Sequence, residues 1–587
     1  MEEAEPLVPR TSGCGGPGAP DSLGTPGWWR AGLVLVVLLG LGLRLTLLGG
    51  PWSGLASDFH NHFGAWAVGE PAQILAEQGP LTEGGMPAFW RVELADGEVA
   101  AELYTHHPAL YTHLIALSLR VFGNVEWAVR IVPLTFSMLS LLIAARCLRR
   151  WFGAEVALFA AAWMAALPLF AWYGMLPWTE GVLVGIGCLQ LGAYARWCAA
   201  GPGAARRAFL AMCGWQFVAV LFDWTGAFMC VGIGLHALCF GRWRRFAKLL
   251  WLGVPIFLAA GLHALHMNLV LGGLHQATET KATLAAVTAL PTETLAEFVR
   301  LQFGHARRFL GLPAYVLALA GALVLVARRV RGALTETEGL SIALLTPGLL
   351  YIALFPQRSY NHDFFLMLSM PGLGVLGAWA AWRVGALLRP GAAPIVLVVA
   401  GLASTAWGAW RTLELRADRT SPQMPVIAAE LEAYLAPSDA MVLTHFGRGM
   451  ALPFYADAAM LENINVVPKF EQRMGGVVER TDPARPAYFL FDMVTAAQLG
   501  SAGARDLLGN PEPGELEAAF DAFVASKPRP ELERFLRGFL HPLLVPLHAH
   551  LCATYASEIH CAGPYGVFQV FDLRRPLAEA PAEGADE

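Results

Sequence analysis

The run A-G-L-V-L-V-V-L-L-G-L-G-L-R-L-T-L-L, residues 31–48, decides the fold. A helix needs about 20 mainly apolar residues to cross the hydrocarbon of a bilayer, and this run with its flanks is long enough to span it. It does not read as a cleaved signal peptide, because the residues before it are acidic where a signal peptide is basic. Residues 1–29 are rich in Gly, Pro and Glu, lack hydrophobic periodicity, and predict a disordered cytoplasmic tail.

Outward from that run the whole chain has the same character. Of 587 residues 56% are hydrophobic and only 15% charged, with a mean hydropathy of +0.48, which excludes an ordinary soluble protein. A net charge of -5 and the absence of a basic tail exclude nucleic acid as a partner. Windows of span length fall near 31–49, 125–145, 154–172, 179–196, 207–222, 226–241, 247–269, 309–327, 337–355, 364–385 and 392–410. The expectation is an all-α polytopic membrane domain of about eleven transmembrane helices over residues 30–411, with a large first outer loop at 50–124.

Arginines gather at alternate joints: Arg146, Arg149 and Arg150; Arg206 and Arg207; Arg242, Arg244 and Arg245 with Lys248; Arg328, Arg329 and Arg331; Arg383 and Arg389. By the positive-inside rule these joints are cytoplasmic, which puts the N-terminus inside and the C-terminus outside a plasma or bacterial inner membrane.

After residue 411 the pattern changes. A-M-V-L-T-H (440–445) and A-Y-F-L-F-D (487–492) read as short buried strands, and P-V-I-A-A-E-L-E-A-Y-L (425–435) as an amphipathic helix. They predict a small extracytoplasmic α/β domain over 412–574, then a flexible acidic tail at 575–587. Of nine cysteines only Cys552 and Cys561 fall in that outer domain, where an oxidising compartment lets them pair. Such a bridge would close a loop between two apolar runs read as strands, L-H-A-H-L-C (547–552) and G-V-F-Q-V-F-D-L (566–573). No Asn-X-Ser/Thr sequon occurs, which leans toward a bacterial chain.

Polar groups recur on the outer side. The first loop opens with S-D-F-H-N-H-F, carrying Asp58, His60 and His62, and closes with Y-T-H-H-P-A-L, carrying His106 and His107. Glu180 in P-W-T-E-G, Asp223 in F-D-W-T-G, and Asn361, His362 and Asp363 in Y-N-H-D-F reach the same face at span ends. Ionisable groups at that depth are costly unless they line a watery cavity, so their recurrence on one side marks a candidate site. Three arginine positions break the inside bias: Arg130, Arg307 with Arg308, and Arg358. Each reads either as snorkelling to headgroups or as a cation for a lipid-borne phosphate, with Arg358 the strongest of them. Glu126 and Arg130, four residues apart, also fit a simple helix-surface pair.

The order of these features, with a span, Asp58, a long outer loop, His107-Pro108-Ala109-Leu110, a span with Glu126 and Arg130, and W-T-E at Glu180, resembles the C-type glycosyltransferases that use polyprenyl-phosphate sugars. The likeness covers roughly residues 30–410 and is greatest to the branch of lipid A aminoarabinose transferases and protein O-mannosyltransferases. It implies an acidic residue after the first span at Asp58, a basic contact to donor phosphate at His107, and an acidic residue opening the fourth span at Glu180. The chain departs from the branch where Phe59 follows Asp58 and where Ala109 replaces a second proline.

The chemistry can be stated from the reaction alone. Sugar transfer from a lipid phosphate builds oxocarbenium character at the anomeric carbon and negative charge on the departing phosphate. Asp58 is read as the base, Glu180 as a catalytic or positioning acid, and His106 or His107 with Arg358 and Arg130 as holders of the phosphate. Inversion follows from the resemblance and from direct displacement by one base. Asp58, His60 and His62 also make a candidate set for a divalent metal (zinc, manganese or magnesium), though no cofactor is required by the pattern. The partners implied are a polyprenyl-phosphate sugar, membrane lipids, and a glycan, lipid or protein acceptor. A multi-span transporter or flippase, or a glycan ligase or polymerase of the envelope, remain the competing readings.

Overall fold

A computed structural model describes residues 27–50, 64–105, 107–271, 294–361, 364–419, 423–445, 452–461, 464, 467–492, 541–561 and 567–577. They form two compact units. One comprises the described residues up to 50, 83–86 and those within 105–418; the other comprises 64–82, 87–104 and the described residues from 419 onward.

The first unit is helical. It contains α1 (Gly27–Leu48), α2 (Leu110–Phe122), α3 (Glu126–Phe152), α4 (Ala154–Ala166), α5 (Glu180–Ala199), α6 (Pro202–Phe222), α7 (Phe228–Cys239), α8 (Gly253–Leu271), α9 (Leu295–Leu310), α10 (Leu312–Val330), α11 (Glu336–Leu354), α12 (Met370–Leu388) and α13 (Ala393–Arg419). Among the described residues nine helices are long and apolar enough to cross a membrane, and ten if the pair 154–166 and 168–175, bent by 65°, counts as one span. The eleventh expected span, 226–241, falls on a shorter apolar helix, Trp224–Cys239. It is short because Asp223 closes the preceding helix and its Oδ1 accepts from Thr225 N at 2.9 Å, starting a tight turn.

Helices pack closely where side chains are small. A Cβ on Gly374 of α12 would lie 2.6 Å from Cα of Ala160 on α4, and one on Gly321 of α10 would lie 2.0 Å from the Leu376 carbonyl oxygen. Backbone contact of this kind supplies dispersion between helices where lipid removes the hydrophobic drive. Buried polar pairs add to it: Trp163 donates to Ser404 at 2.8 Å and Gln190 to Gln216 at 2.8 Å.

The second unit is α/β. Its sheet has the order β4-β3-β5-β7-β6, from β3 (Met441–Thr444), β4 (Ala459–Leu461), β5 (Ala487–Asp492), β6 (Tyr555–Cys561) and β7 (Val567–Pro576). Strand β3 runs parallel to β4 and β5, while β7 is antiparallel to β5 and β6. The two strands expected at 440–445 and 487–492 are β3 and β5, and 425–435 is helical with a break near Leu431. The run L-H-A-H-L-C is not a strand; it lies in the helix His541–Thr554. A short apolar run fits either state, and here Leu547 and Leu551, one turn apart, are both fully buried, which suits a helix.

A second piece of this unit comes from the first loop. Strands β1 (Ala88–Glu93) and β2 (Val99–Leu103) form an antiparallel hairpin, and Phe89, Trp90, Val92 and Leu94 share one buried cluster with Met441, Leu443, Phe489 and Phe571. The last membrane helix runs to Arg419, past the boundary expected at 411, and β7 runs to Pro576, past the tail expected from 575. Residues 1–26 of the expected N-terminal tail and residues 578–587 lie outside the described residues, while Gly27, Trp28 and Trp29 already belong to α1.

Candidate active site

The site is reached through the bent span. Leu167 precedes a proline and is extended (φ -69, ψ 138), as that position favours. Pro168 has no N–H for the Met164 carbonyl, and the bend frees the carbonyls of Ala165 and Ala166 as well. Arg44 of α1 answers most of them. Fully buried, it donates to the carbonyls of Met164 (3.3 Å), Ala165 (3.2 Å), Phe170 (2.9 Å) and Gly40 (3.0 Å) and to Ser137 Oγ (3.2 Å). Thr412 donates to the Ala166 carbonyl at 2.8 Å. The chain then passes a tight turn at Tyr173–Met175 and starts α5 at Glu180.

Around that start several polar side chains converge. His107 Nδ1 lies 2.8 Å from Asp223 Oδ2, with the imidazole partly exposed (27%) and the carboxylate buried (6%). Thr179 donates to the same oxygen at 3.0 Å. Glu180 is buried next to it, within electrostatic reach of Asp223 and Tyr111. Among the described residues Glu180 Oε2 and the Tyr111 hydroxyl are buried with no hydrogen-bond partner. Orphaned polar atoms of this kind are costly, so these two mark a candidate position for a polar guest. Arg358 lies within electrostatic reach of the Tyr351 hydroxyl, as do Asp223 and Glu180. Aromatic rings wall the cluster: Trp178 stacks on Phe364 at 5.5 Å, Tyr351 on Phe365 at 3.7 Å, and Tyr111 meets Phe222 edge-on at 6.2 Å.

The structure therefore brings together His107, Glu180, Asp223 and Arg358 from distant parts of the sequence. Asp223 serves two ends, as cap of its own turn and as partner of His107. Arg130 donates to the carbonyls of Leu48 (3.3 Å) and Gly50 at the end of α1. Arg307 and Arg308 line a different cavity with Arg411. Asp58, His60, His62, His106, His362 and Asp363 lie outside the described residues, as do the side chains of Asn361 and Cys561, the latter one end of the expected bridge. Among the described residues no three His, Cys, Asp or Glu side chains are grouped to hold a metal ion.

Several members went unread in the sequence. Tyr111, Thr179 and Tyr351 look like ordinary helix residues, and only tertiary packing gives them a common address. Three further histidines fasten the approach to the site: His113, His266 and His263 contact the carbonyls of Gly85 (2.8 Å), Gly84 (2.8 Å) and Thr105 (3.2 Å). Their spacing after the H-H-P element gave no sign of this.

Residues 106–266 match the family model described as dolichyl-phosphate-mannose-protein mannosyltransferase. The matched segment contains His107, Glu180 and Asp223. The chain has the C-type glycosyltransferase fold. Two solved structures of ArnT from Cupriavidus metallidurans carry this likeness. The one bound to undecaprenyl phosphate is 14% identical with a TM-score of 0.57, covering 81% of this chain and 95% of that one. The apo form is 15% identical with a TM-score of 0.55, covering 81% and 94%. A sequence search of curated proteins finds no significant match. The resemblance read from the motif order is thus borne out at the level of fold.

Proposed function

We propose that the protein is an integral-membrane glycosyltransferase that moves a sugar from a polyprenyl-phosphate donor to a lipid, glycan or protein acceptor, with inversion. The observation that carries this reading is the His107–Asp223 pair beside the buried Glu180, within the segment that matches the mannosyltransferase family. The fold it shares with ArnT, seen with undecaprenyl phosphate, supports a lipid-phosphate donor. The alternating arginine joints support a site on the outer face.

In the proposed step the acceptor hydroxyl gives its proton to Asp58 while its oxygen bonds to the anomeric carbon. The bond from that carbon to the phosphate oxygen breaks, and the electron pair leaves with the phosphate. His107, held through Nδ1 by Asp223, and Arg358 meet the growing negative charge. Glu180, with one bare oxygen, orients the acceptor or a sugar hydroxyl.

The test is transfer of sugar from polyprenyl-phosphate donors by membranes containing the protein. Asp58→Asn should keep donor binding and lose turnover by about 10²-fold or more, the scale of removing a general base. Full turnover in that variant would end the assignment of Asp58. No transfer by the natural chain from any polyprenyl-phosphate sugar would end the reading itself.

A further inference from the structure

Helix α9 turns an apolar stripe away from the protein. Leu295, Val299 and Phe303, spaced four apart, are 65%, 41% and 47% exposed, while Phe298, Phe309 and Leu310 face inward. A helix with an uncovered apolar stripe and several basic side chains lies in the headgroup region of a bilayer. It ends at Gly311, whose φ of +75 favours glycine, and a Cβ there would fall 2.7 Å from Cδ1 of Trp407. The indole of α13 is thus seated against the turn that leads α9 into α10.

At this corner lies a cavity of ≈ 460 Å³, lined by Arg307, Arg308 and Arg411 together with Trp407 and Trp410. The two indoles meet edge to face at 5.1 Å, and Arg411 is paired with Glu414. Among the described residues lining or paired at this cavity, three guanidiniums stand against that one carboxylate. Tryptophan marks the headgroup level of a membrane, and guanidinium matches phosphate oxygens with paired donors. The cations come from two helices, Arg307 and Arg308 from α9 and Arg411 from α13, which also carries both indoles, so chance snorkelling of one side chain does not account for their meeting.

We infer that this corner binds the headgroup of an anionic phospholipid, its phosphodiester on Arg307, Arg308 and Arg411 and its acyl chains along the exposed apolar surface of α9 and α10. A volume of this size holds a small headgroup, not the chains. The site shares no residue with the proposed active site and stands or falls without it.

The experiment is native mass spectrometry of the full chain in detergent, offered phosphatidylglycerol, phosphatidylcholine or inorganic phosphate. The natural chain should retain phosphatidylglycerol about tenfold better than phosphatidylcholine, and inorganic phosphate at millimolar concentration should not displace it. The double variant R307Q/R308Q should lose that preference by about tenfold, and the single variants R308Q and W410A should each weaken it about threefold. The single variants keep the test decisive if the double one does not fold. Equal retention of the two lipids, displacement by phosphate alone, or unchanged retention in R308Q and W410A would each overturn the inference.

Discussion

The membrane unit and the α/β unit satisfy their backbones by opposite means. In the membrane unit, the bend at Leu167–Pro168 exposes carbonyls where no water can reach, and a buried arginine from a helix more than 100 residues upstream meets them. In the α/β unit the sheet ladder satisfies the backbone, and the difficulty is one of assembly. Its core needs Trp90 and Val92 from the first loop beside Phe489 and Phe571 from the far end of the chain. One unit repairs a local break with a distant side chain, and the other completes a core with a distant segment. Both repairs are invisible to a reading that moves along the chain in windows.

The sharpest way to break this contrast is Arg44→Met, which keeps the volume and removes every donor. It leaves the carbonyls of Met164, Ala165 and Phe170 bare, at about 1–3 kcal/mol for each unsatisfied buried group. A loss on the order of 4 kcal/mol is expected, read as a lower melting temperature of the detergent-solubilised chain and as weaker hydrogen-exchange protection over 164–175. Arg44→Lys, with fewer donors, should recover part of it. An unchanged melting temperature in Arg44→Met would mean that the break tolerates bare carbonyls and that Arg44 is incidental.

Next in size is Trp90→Ala. Trp90 is 3% exposed, donates from Nε1 to Glu102 Oε2 at 3.2 Å, and lies under the Arg473 guanidinium at 5.1 Å from its ring centroid. Truncating a core tryptophan costs about 3 kcal/mol or more. The effect should appear far along the chain, as lost exchange protection in β3 and β5. If 441–444 and 487–492 keep their protection, the hairpin is an ornament on a core that closes without it.

Much of the membrane unit is legible because hydropathy over a span-length window is a strong signal, and each of the eleven windows coincides with helix. What fails is the count, for 226–241 is too short and 154–172 is bent, and both faults turn on single residues, Asp223 and Pro168. The hairpin was legible and missed: alternation in A-F-W-R-V-E-L followed by Asp96-Gly97 is a strong short-range hairpin signal. Gly97 takes a φ of +82, as that turn requires. Of the site, His107, Glu180, Asp223 and Arg358 stood out as charged groups at span ends. Tyr111 and Tyr351 did not, since a tyrosine in an apolar helix is usually packing, and the convergence of helices that joins them has no trace in spacing.

A smaller effect tests the site without disturbing either repair. His107→Ala removes the imidazole from a partly exposed position, so the fold should persist. Donor affinity and rate should both fall by about tenfold, roughly one charge-assisted contact. Both quantities can be read in one detergent with one polyprenyl-phosphate donor. A normal rate and affinity would leave the His107–Asp223 pair as part of the helix-end architecture alone.

The smallest effect concerns how the hairpin is fastened. Arg480 donates to Asp96 at 2.7 Å and to Glu98 at 2.6 Å, all at exposed positions, while Ala95 N reaches the Arg480 carbonyl at 2.9 Å. The bonds from Arg480 and from Glu98 N hold the Asp96 carboxyl below its ordinary pKa. The folded pKa is depressed, so the stabilisation is fully present above the ordinary carboxylate value and is lost as pH falls through the lowered one. Exposed ion pairs are screened by salt and weak by nature. Asp96→Asn should therefore leave the melting temperature nearly unchanged at neutral pH and speed exchange in residues 94–98 only slightly. The same variant should abolish the acid-induced rise in that exchange between mildly acidic and strongly acidic buffer. If exchange at 94–98 in the natural chain shows no acid dependence, or shows one that high salt does not weaken, the Arg480 clasp is decorative, and burial of Trp90 alone holds the first-loop segment in the sheet unit.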